Sequence, residues 1–430
     1  MNNGKIYISE LNSEEKLRTE DAFTLPEISL FSKTSRALVR GMDALVITML
    51  DPGDILVTAE LLPQEYLDYW CENITEVKCL SPSGDMDSIY SRLIHDSSMT
   101  DILKDREIIN YALVPDYYEM CSILGIDSTE PPLSVIKELN SKVYSNKLKY
   151  ELDLPAKGIR LKSIDEYEEK VGKMLEDEGR ILIKDAMGVS GKGMLLIDSQ
   201  GMADRLAVHF TKQAEKGRTK FDFILEPYLN RVMDFSCIFT IDTEGKINID
   251  GFQKNESKGF AYHGTGPLTA NEYEMIMASG YRDTVIKIAE AMADKGYHGY
   301  ACIDSMIAEG DIVIPLLEIN PRMSLSRFNL KVSERIGRAC RLGYIEGKLG
   351  DGVSVEQVLS ELEDKGLLYT SCRGSGVIPL APGIWNDSDL IGKRIRIYYI
   401  IVYNTEDEYE EILAAWFAYC SGSICAGNIN

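Results

Sequence analysis

The sequence predicts a mixed α/β (α+β) protein built from more than one packed unit, and three observations carry that prediction. Short apolar strands alternate with amphipathic helices up to about residue 125. Two apolar strands, 180–184 and 194–197, flank a loop carrying three glycines. A later stretch, Ile312 to Arg322, runs as an apolar strand into Glu318, Asn320 and Arg322. Alternating strands and helices imply a parallel sheet with helices on its faces. At 430 residues the chain exceeds what one core usually holds, so two to four units are expected.

Composition narrows the function classes. The formal charge of -22 argues against a nucleic-acid or anionic-membrane binder, since neither surface attracts a polyanion. Residues 1–21 hold no apolar core of a secretory signal. The apolar run Ile397 to Tyr403 is too short to span a bilayer. Nine cysteines, an odd number without a C-x-x-C pair, suit reduced thiols in a cytoplasmic protein better than a disulfide or zinc framework.

In the first unit, the turn Asp51-Pro-Gly-Asp54 leads into a strand at 55–58, a helix at 62–73 and a strand at 76–80. A helical stretch at 86–104 and an apolar segment at 108–114 follow. No G-x-G-x-x-G follows the first of these strands, so a dinucleotide site has no support. Arg40, Asp43 and Asp116 read as surface charges.

The second unit opens at Pro131-Pro132 with a helix to about Lys149, whose lysines 142, 147 and 149 read as mostly solvated. Residues 163–178 form an amphipathic helix, with Ser163 and Glu166 as a capping box. Lys184 then ends a strand just before Gly188-Val-Ser190-Gly191-Lys-Gly193. Glycines let backbone N–H groups approach phosphate oxygens without a Cβ in the way, although a plain hairpin loop fits the stretch taken alone. The spacing is not that of a Walker A loop, and the lysine precedes the glycines instead of following them as in a protein kinase.

Strands at 221–229, 233–240 and 247–252 follow. Residues 254–270 lack a period and read as a loop able to cover a site. A long helix is expected over 270–295, then a strand over 298–307 that turns at 308–311 and pairs with the Ile312 stretch. That hairpin sets Asp304 opposite Glu318, with Asn320 and Arg322 on the same face as Glu318 at alternate positions. Leu317 and Ile319 then point to the core on the other face. Two acids and an amide at one place suit a hard cation such as Mg2+, and the neighbouring guanidinium suits a planar anion. By itself the same stretch also fits the solvated end of an edge strand. A helix is expected from Met323 to about Lys348, with Ser324, Ser326 and Arg327 near the site. The tail carries an apolar segment at 376–382, a strand at 394–402 and a helix at 406–419.

The ordered set, a lysine-bearing helix, Lys184 before a glycine loop, Glu226-Pro-Tyr-Leu, Asp234-Phe, Asp304 and Leu317-Glu-Ile-Asn-Pro-Arg322, resembles the ATP-grasp superfamily of carboxylate-activating ligases. The likeness covers roughly 130 to 345, and the last motif is its most specific part. It implies a parallel pre-ATP-grasp domain over 1–125, a two-subdomain ATP-grasp domain over 126–345 and a small C-terminal αβ unit over 346–430. It further implies that Lys142, Lys184 and the loop residues Gly188, Ser190, Gly191 and Gly193 hold ATP phosphates. Glu226 and the backbone of Tyr228 and Leu229 would take adenine, and Asp234 the ribose. Asp304, Glu318 and Asn320 would carry Mg2+, and Arg322 would face the acyl phosphate. Asn140-Ser-Lys142 departs from the acid usual before that lysine, which leaves Lys147 as an alternative to Lys142.

Such enzymes turn a carboxylate into an acyl phosphate and pass it to an amine, by positioning and charge neutralisation without a side-chain nucleophile. The expectation is amide-bond formation between an amino acid or short peptide and an amine, with a homodimer as the family's habitual assembly. A non-amine acceptor, or a nucleotide-binding module without catalysis, stays open as an alternative. Of the four histidines, only His263 lies in the glycine-bearing segment where an amine would enter.

Overall fold

A computed structural model describes residues 4–26, 33–84, 86–188 and 193–425. Its strands form three sheets. The first is parallel, in the order β3-β2-β1-β4, from Ile6–Ile8 (β1), Ile55–Val57 (β2), Lys78–Leu80 (β3) and Ile108–Asn110 (β4). Helices Gln64–Asn73, Ile89–His95 and Ser97–Lys104 connect its strands, as the alternation predicts. β1 escapes the sequence reading because three residues of Ile-Tyr-Ile are too few to show a period. Asp43 is not a surface charge: it is buried, its carboxylate accepts the Ala59 N–H at 2.6 Å, and burial raises its pKa to about 7.

The second sheet is small and antiparallel, in the order β5-β8-β6-β7, from Ile159–Leu161 (β5), Ile181–Asp185 (β6), Met194–Ile197 (β7) and Phe223–Pro227 (β8). Its outer face packs on helices Ile164–Glu178 and Gln200–Glu215 through a core of its own, with Tyr167, Phe210 and Phe223 fully buried. Ser163 caps the first of these helices by accepting the Glu166 N–H at 3.1 Å.

The third sheet has eight antiparallel strands in the order β13-β12-β9-β10-β11-β14-β16-β15. These are Arg231–Ile241 (β9), Ile247–Lys258 (β10), Ala261–Gly266 (β11), Gly299–Ala308 (β12), Ile312–Asn320 (β13), Ala339–Lys348 (β14), Gly376–Pro379 (β15) and Arg394–Tyr403 (β16). Three expectations change here. Residues 254–266 are not a loop: they form the end of β10 and all of β11, paired from Lys254↔Gly266 to Lys258↔Ala261 about the turn at Gly259 and Phe260. The helix expected over 270–295 is two helices, Ala270–Ala278 and Tyr281–Ala293, separated by Gly280 in the left-handed region at φ 77°. The helix after Met323 ends at Ile336, where Gly337 at φ 73° stops it, and the rest of that stretch is β14.

The tail is an αβ unit whose strands β16 and β15 extend this sheet beyond β14. β16 pairs with β14 over ten positions, and helix Glu406–Tyr419 buries Trp416 against it. One apolar core joins the tail to the first unit, where the Tyr66 hydroxyl donates to the Pro379 carbonyl at 3.0 Å.

Candidate active site

The second and third sheets face each other across a cleft of about 440 Å3. Leu182, Lys184, Met194, Leu196 and Glu226 line it from the small sheet; Asp234, Ser257, Asp304, Met306 and Glu318 line it from the large one. Leu182, Met194, Leu196, Met306 and Leu317 give it apolar walls, and Lys184, Glu226 and Glu318 gather at a charged end, the mixture a nucleotide base and its phosphates require.

Helix Lys142–Glu151 brings cations to that end. Ser145 anchors it by accepting the Ile319 N–H at 3.1 Å. Its lysines are not all solvated. Lys142 is buried, pairs with Glu318 at 2.6 Å and donates to the Gly188 carbonyl at 2.8 Å. Lys149, seven residues and so two turns further along the same face, is 1% exposed and pairs with Glu226 at 2.6 Å. Lys147 points outward and pairs with Glu151 at 3.2 Å. The structure therefore brings Lys142 to the site and leaves Lys147 outside it. Lys149 was missed, although its spacing from Lys142 was the signal.

Lys184 reaches the same end from β6 and pairs with the second oxygen of Glu226 at 2.5 Å. Burial alone would push the Glu226 carboxyl up, but the two ammonium groups overcome it and bring the pKa to about 2. Burial pushes Lys149 down against the pull of that carboxylate. Glu226 thus fixes two cations in the cleft wall.

At the mouth of the glycine loop, a Cβ on Gly188 would lie 2.4 Å from Cα of Gly193, and one on Gly193 would lie 2.1 Å from Cα of Gly188. Both glycines are needed for the two chain segments to pass each other. Arg18 braces this neck by pairing with Asp185 at 2.8 Å and donating to the Met187 carbonyl at 3.0 Å. Ser190 and Gly191 lie outside the described residues.

Toward the hinge, Leu229 lines the cleft, but the Tyr228 N–H donates to the Arg180 carbonyl at 3.0 Å. The amide proton of Tyr228 is therefore committed within the protein, and any backbone contact from this residue to a base falls to its carbonyl oxygen. Asp234 accepts from Arg231 at 2.7 Å and from the Ser257 hydroxyl at 2.8 Å, and burial raises its pKa.

The hairpin of β12 and β13 places Asp304 and Glu318 directly opposite each other. A bulge on β13 follows, with Pro315, Leu316 and Leu317 facing the single residue Ser305. It breaks the alternation, so Leu316 and Ile319 enter the core while Leu317 joins Glu318 in lining the cleft. The expectation that Leu317 is a core residue fails for that reason. Asp304 accepts from Ser236 at 2.7 Å and from the Asn320 amide at 2.8 Å, and the Asn320 oxygen accepts from Arg322 at 3.0 Å. Burial, and then the Glu318 carboxylate, raise Asp304 to about 6. Two opposed carboxylates and a neighbouring amide fit a hard divalent cation once the amide oxygen faces them. Among the described residues no group of three His, Cys, Asp or Glu side chains is placed to hold a metal ion, so a cation here would rest on these two carboxylates and the amide.

Arg322 also donates to the Tyr111 hydroxyl at 3.2 Å and to the Met323 carbonyl at 3.1 Å. Arg327 belongs elsewhere: it is buried against Asp250 at 2.5 Å and the Phe239 carbonyl at 2.9 Å. Ser324 caps helix Leu325–Ile336, and Ser326 bonds Asn255 at 3.2 Å. His263 stacks on Tyr344 with ring centres 5.1 Å apart.

No protein-family model matches the chain. One relative, the [butirosin acyl-carrier protein]–L-glutamate ligase of Niallia circulans, is 22% identical over 392 residues, covering 87% of this chain and 88% of that one. Among solved structures, the biotin carboxylase of Campylobacter jejuni in a β,γ-ATP complex aligns with a TM-score of 0.56 at 12% identity, over 92% of this chain and 90% of that one. The carboxyaminoimidazole ribonucleotide synthase of Aspergillus clavatus complexed with ATP gives 0.54 at 13% identity, over 98% and 100%. The biotin carboxylase domain of the Hydrogenobacter thermophilus 2-oxoglutarate carboxylase, with MgADP, gives 0.55 at 14% identity, over 92% and 89%.

Proposed function

Because the chain has the ATP-grasp fold, we propose that it is an ADP-forming ligase that activates a carboxylate with ATP and joins it to an amine. The observation that carries the proposal is the Asp304–Glu318 register pair, with Lys142 on Glu318 and Lys184 at the charged end of the same cleft. A module that only bound nucleotide would have no use for a carboxylate pair and Arg322 beyond the phosphates.

On this reading the apolar walls of the cleft hold the base, Asp234 the ribose, and Lys142 and Lys184 the phosphates. Asp304, Glu318 and Asn320 hold magnesium, which when bound neutralises charge on the transferring phosphate. The substrate carboxylate attacks the γ-phosphorus in line, and the bond to the β-phosphate oxygen breaks to release ADP. The amine nitrogen then attacks the acyl carbon, the carbon–oxygen bond to phosphate breaks, and the nitrogen gives up a proton. Arg322 faces the acyl phosphate and, in the second step, the acyl oxygen that gains charge as the amine attacks. The nine free cysteines agree with a reducing cytoplasm, and among the described residues no helix is long and apolar enough to cross a membrane.

The Niallia relative favours a second form of the acceptor, a nucleophile carried on a carrier protein in place of a free amine. ADP release measured across amino-acid pairs, with and without a carrier protein, and product masses taken for each, tests both. ADP release that no carboxylate stimulates would remove the ligase reading.

A further inference from the structure

Beyond Arg322 lies a second cavity of about 190 Å3, reached from the nucleotide cleft past Asp304 and Tyr262, which line both. Its lining carries the carboxylates Asp304 and Glu318 and two guanidiniums, Arg322 and, from β16, Arg396. β13 and β16 lie six places apart in the sheet order, so the sheet curls to bring the end of one and the face of the other to a single cavity.

Arg396 is built into its place. Its guanidinium lies over the Tyr344 ring at 4.5 Å, and its Nε donates to Glu346 at 3.1 Å. The other Glu346 oxygen pairs with Arg394 at 2.7 Å. Arg396 and Arg322 are the guanidiniums in the lining of this cavity, and Glu346, which pairs with both Arg396 and Arg394, lies outside that lining. The second observation is Tyr262. Its hydroxyl oxygen is buried and has no hydrogen-bond partner among the described residues. Burial holds its pKa well above the ordinary value, so the group stays a donor. A buried donor left unpaired is unfavourable, and a ligand acceptor in this cavity would satisfy it.

We propose that this cavity takes a dicarboxylate: the reacting carboxylate at Arg322, and a second, non-reacting carboxylate on Arg396, with the Tyr262 hydroxyl donating to the bound acid. The proposal rests on the ligase reading and names its acid substrate class. Arg396 is then a specificity residue and takes no part in the transfer.

Calorimetric binding of L-glutamate and L-aspartate, each against its side-chain amide, tests the assignment in wild type, Arg396→Gln and Tyr262→Phe. A charge-assisted hydrogen bond contributes roughly 10- to 100-fold in affinity. Wild type should therefore bind one of the acids at least about 10-fold tighter than its amide. Arg396→Gln should bring the two within about 3-fold of each other, with the KM for ATP unchanged. Tyr262→Phe should weaken binding of the acid several-fold. If Arg396→Gln does not fold, Arg396→Lys serves, because it keeps the charge and loses the fork, and it should reduce the preference without abolishing it. A wild type that binds acid and amide alike, or an Arg396→Gln that keeps the preference, overturns the proposal. ADP release with neutral amino acids in that same case would leave the ligase reading standing. Selective binding of the acid with no ADP release would overturn the ligase reading instead.

Discussion

Lys142 Nζ lies 2.6 Å from Oε2 of Glu318, so one ammonium group ties the helix Lys142–Glu151 to the proposed metal face. The same ammonium donates to the carbonyl of Gly188 at the neck of the glycine loop. Three stretches far apart in sequence therefore meet on one side chain, and removing it should be felt in nucleotide use.

Lys142→Met keeps the length of the stem and loses the charge. It should lower kcat/KM for ATP by about 10^2-fold, the usual cost of one fixed electrostatic partner of a transferring group. Lys147→Met, on the solvated face, should leave it unchanged. Steady-state ADP release for both variants decides between these lysines, and equal losses would remove Lys142 from the site.

Glu226 predicts an acid-sensitive fold. Its folded pKa, about 2, lies below the ordinary 4.5. The stabilisation is therefore present above pH 4.5 and is lost as pH falls from there toward 2. Glu226→Gln leaves Lys149 and Lys184 buried without a counter-charge and should destabilise the protein by about 3–5 kcal/mol at pH 7. Melting curves at pH 7 and pH 3 should show a wide gap between wild type and variant at the first pH and a narrow one at the second.

Asp234 is the ribose candidate, held in the cleft by Arg231 and Ser257. A hydrogen bond from a ribose hydroxyl to a carboxylate contributes roughly 1.5–3 kcal/mol. Wild type should prefer ATP over 2′-deoxy-ATP or 3′-deoxy-ATP about 10-fold or more, and Asp234→Ala should erase that preference. Comparing kcat/KM for the three nucleotides checks it.

The β10–β11 turn, where Gly259 and Phe260 line the cleft, should close on its ligands. Arg231 already holds the Gly259 carbonyl at 2.8 Å. Amide hydrogen exchange over residues 257–262 should slow when ATP and a carboxylate substrate are both present, since an acyl phosphate must be kept from water. Exchange unchanged by both ligands would rule the closure out.

Much of the site was legible in the sequence because its residues sit on a regular strand. Glu318 and Asn320 share a face by alternation, and the short turn at 308–311 sets Asp304 opposite Glu318. The failures have local causes. Leu317 was placed in the core because a bulge cannot be read from period two. Residues 254–266 read as structureless because Gly259, Gly264 and Gly266 interrupt a polar hairpin that shows no alternation of apolar and polar residues. Lys149 reads as solvated because a lysine on a helix ordinarily is, whereas the Glu226 carboxylate, 77 residues away, and the Ala156 carbonyl make its burial tolerable.

The central claim is that Glu318 serves the reaction and not the fold. Glu318→Gln keeps shape and volume and removes one charge. It loses the pairing with Lys142 but relieves the crowding that raises Asp304, so the two effects on stability oppose each other. The measurement is a thermal melt beside ADP release at saturating ATP, for wild type and Glu318→Gln. A melting temperature close to wild type with kcat reduced about 10^2- to 10^3-fold is the expected result. A variant that melts early yet turns over at the wild-type rate per folded molecule would contradict it.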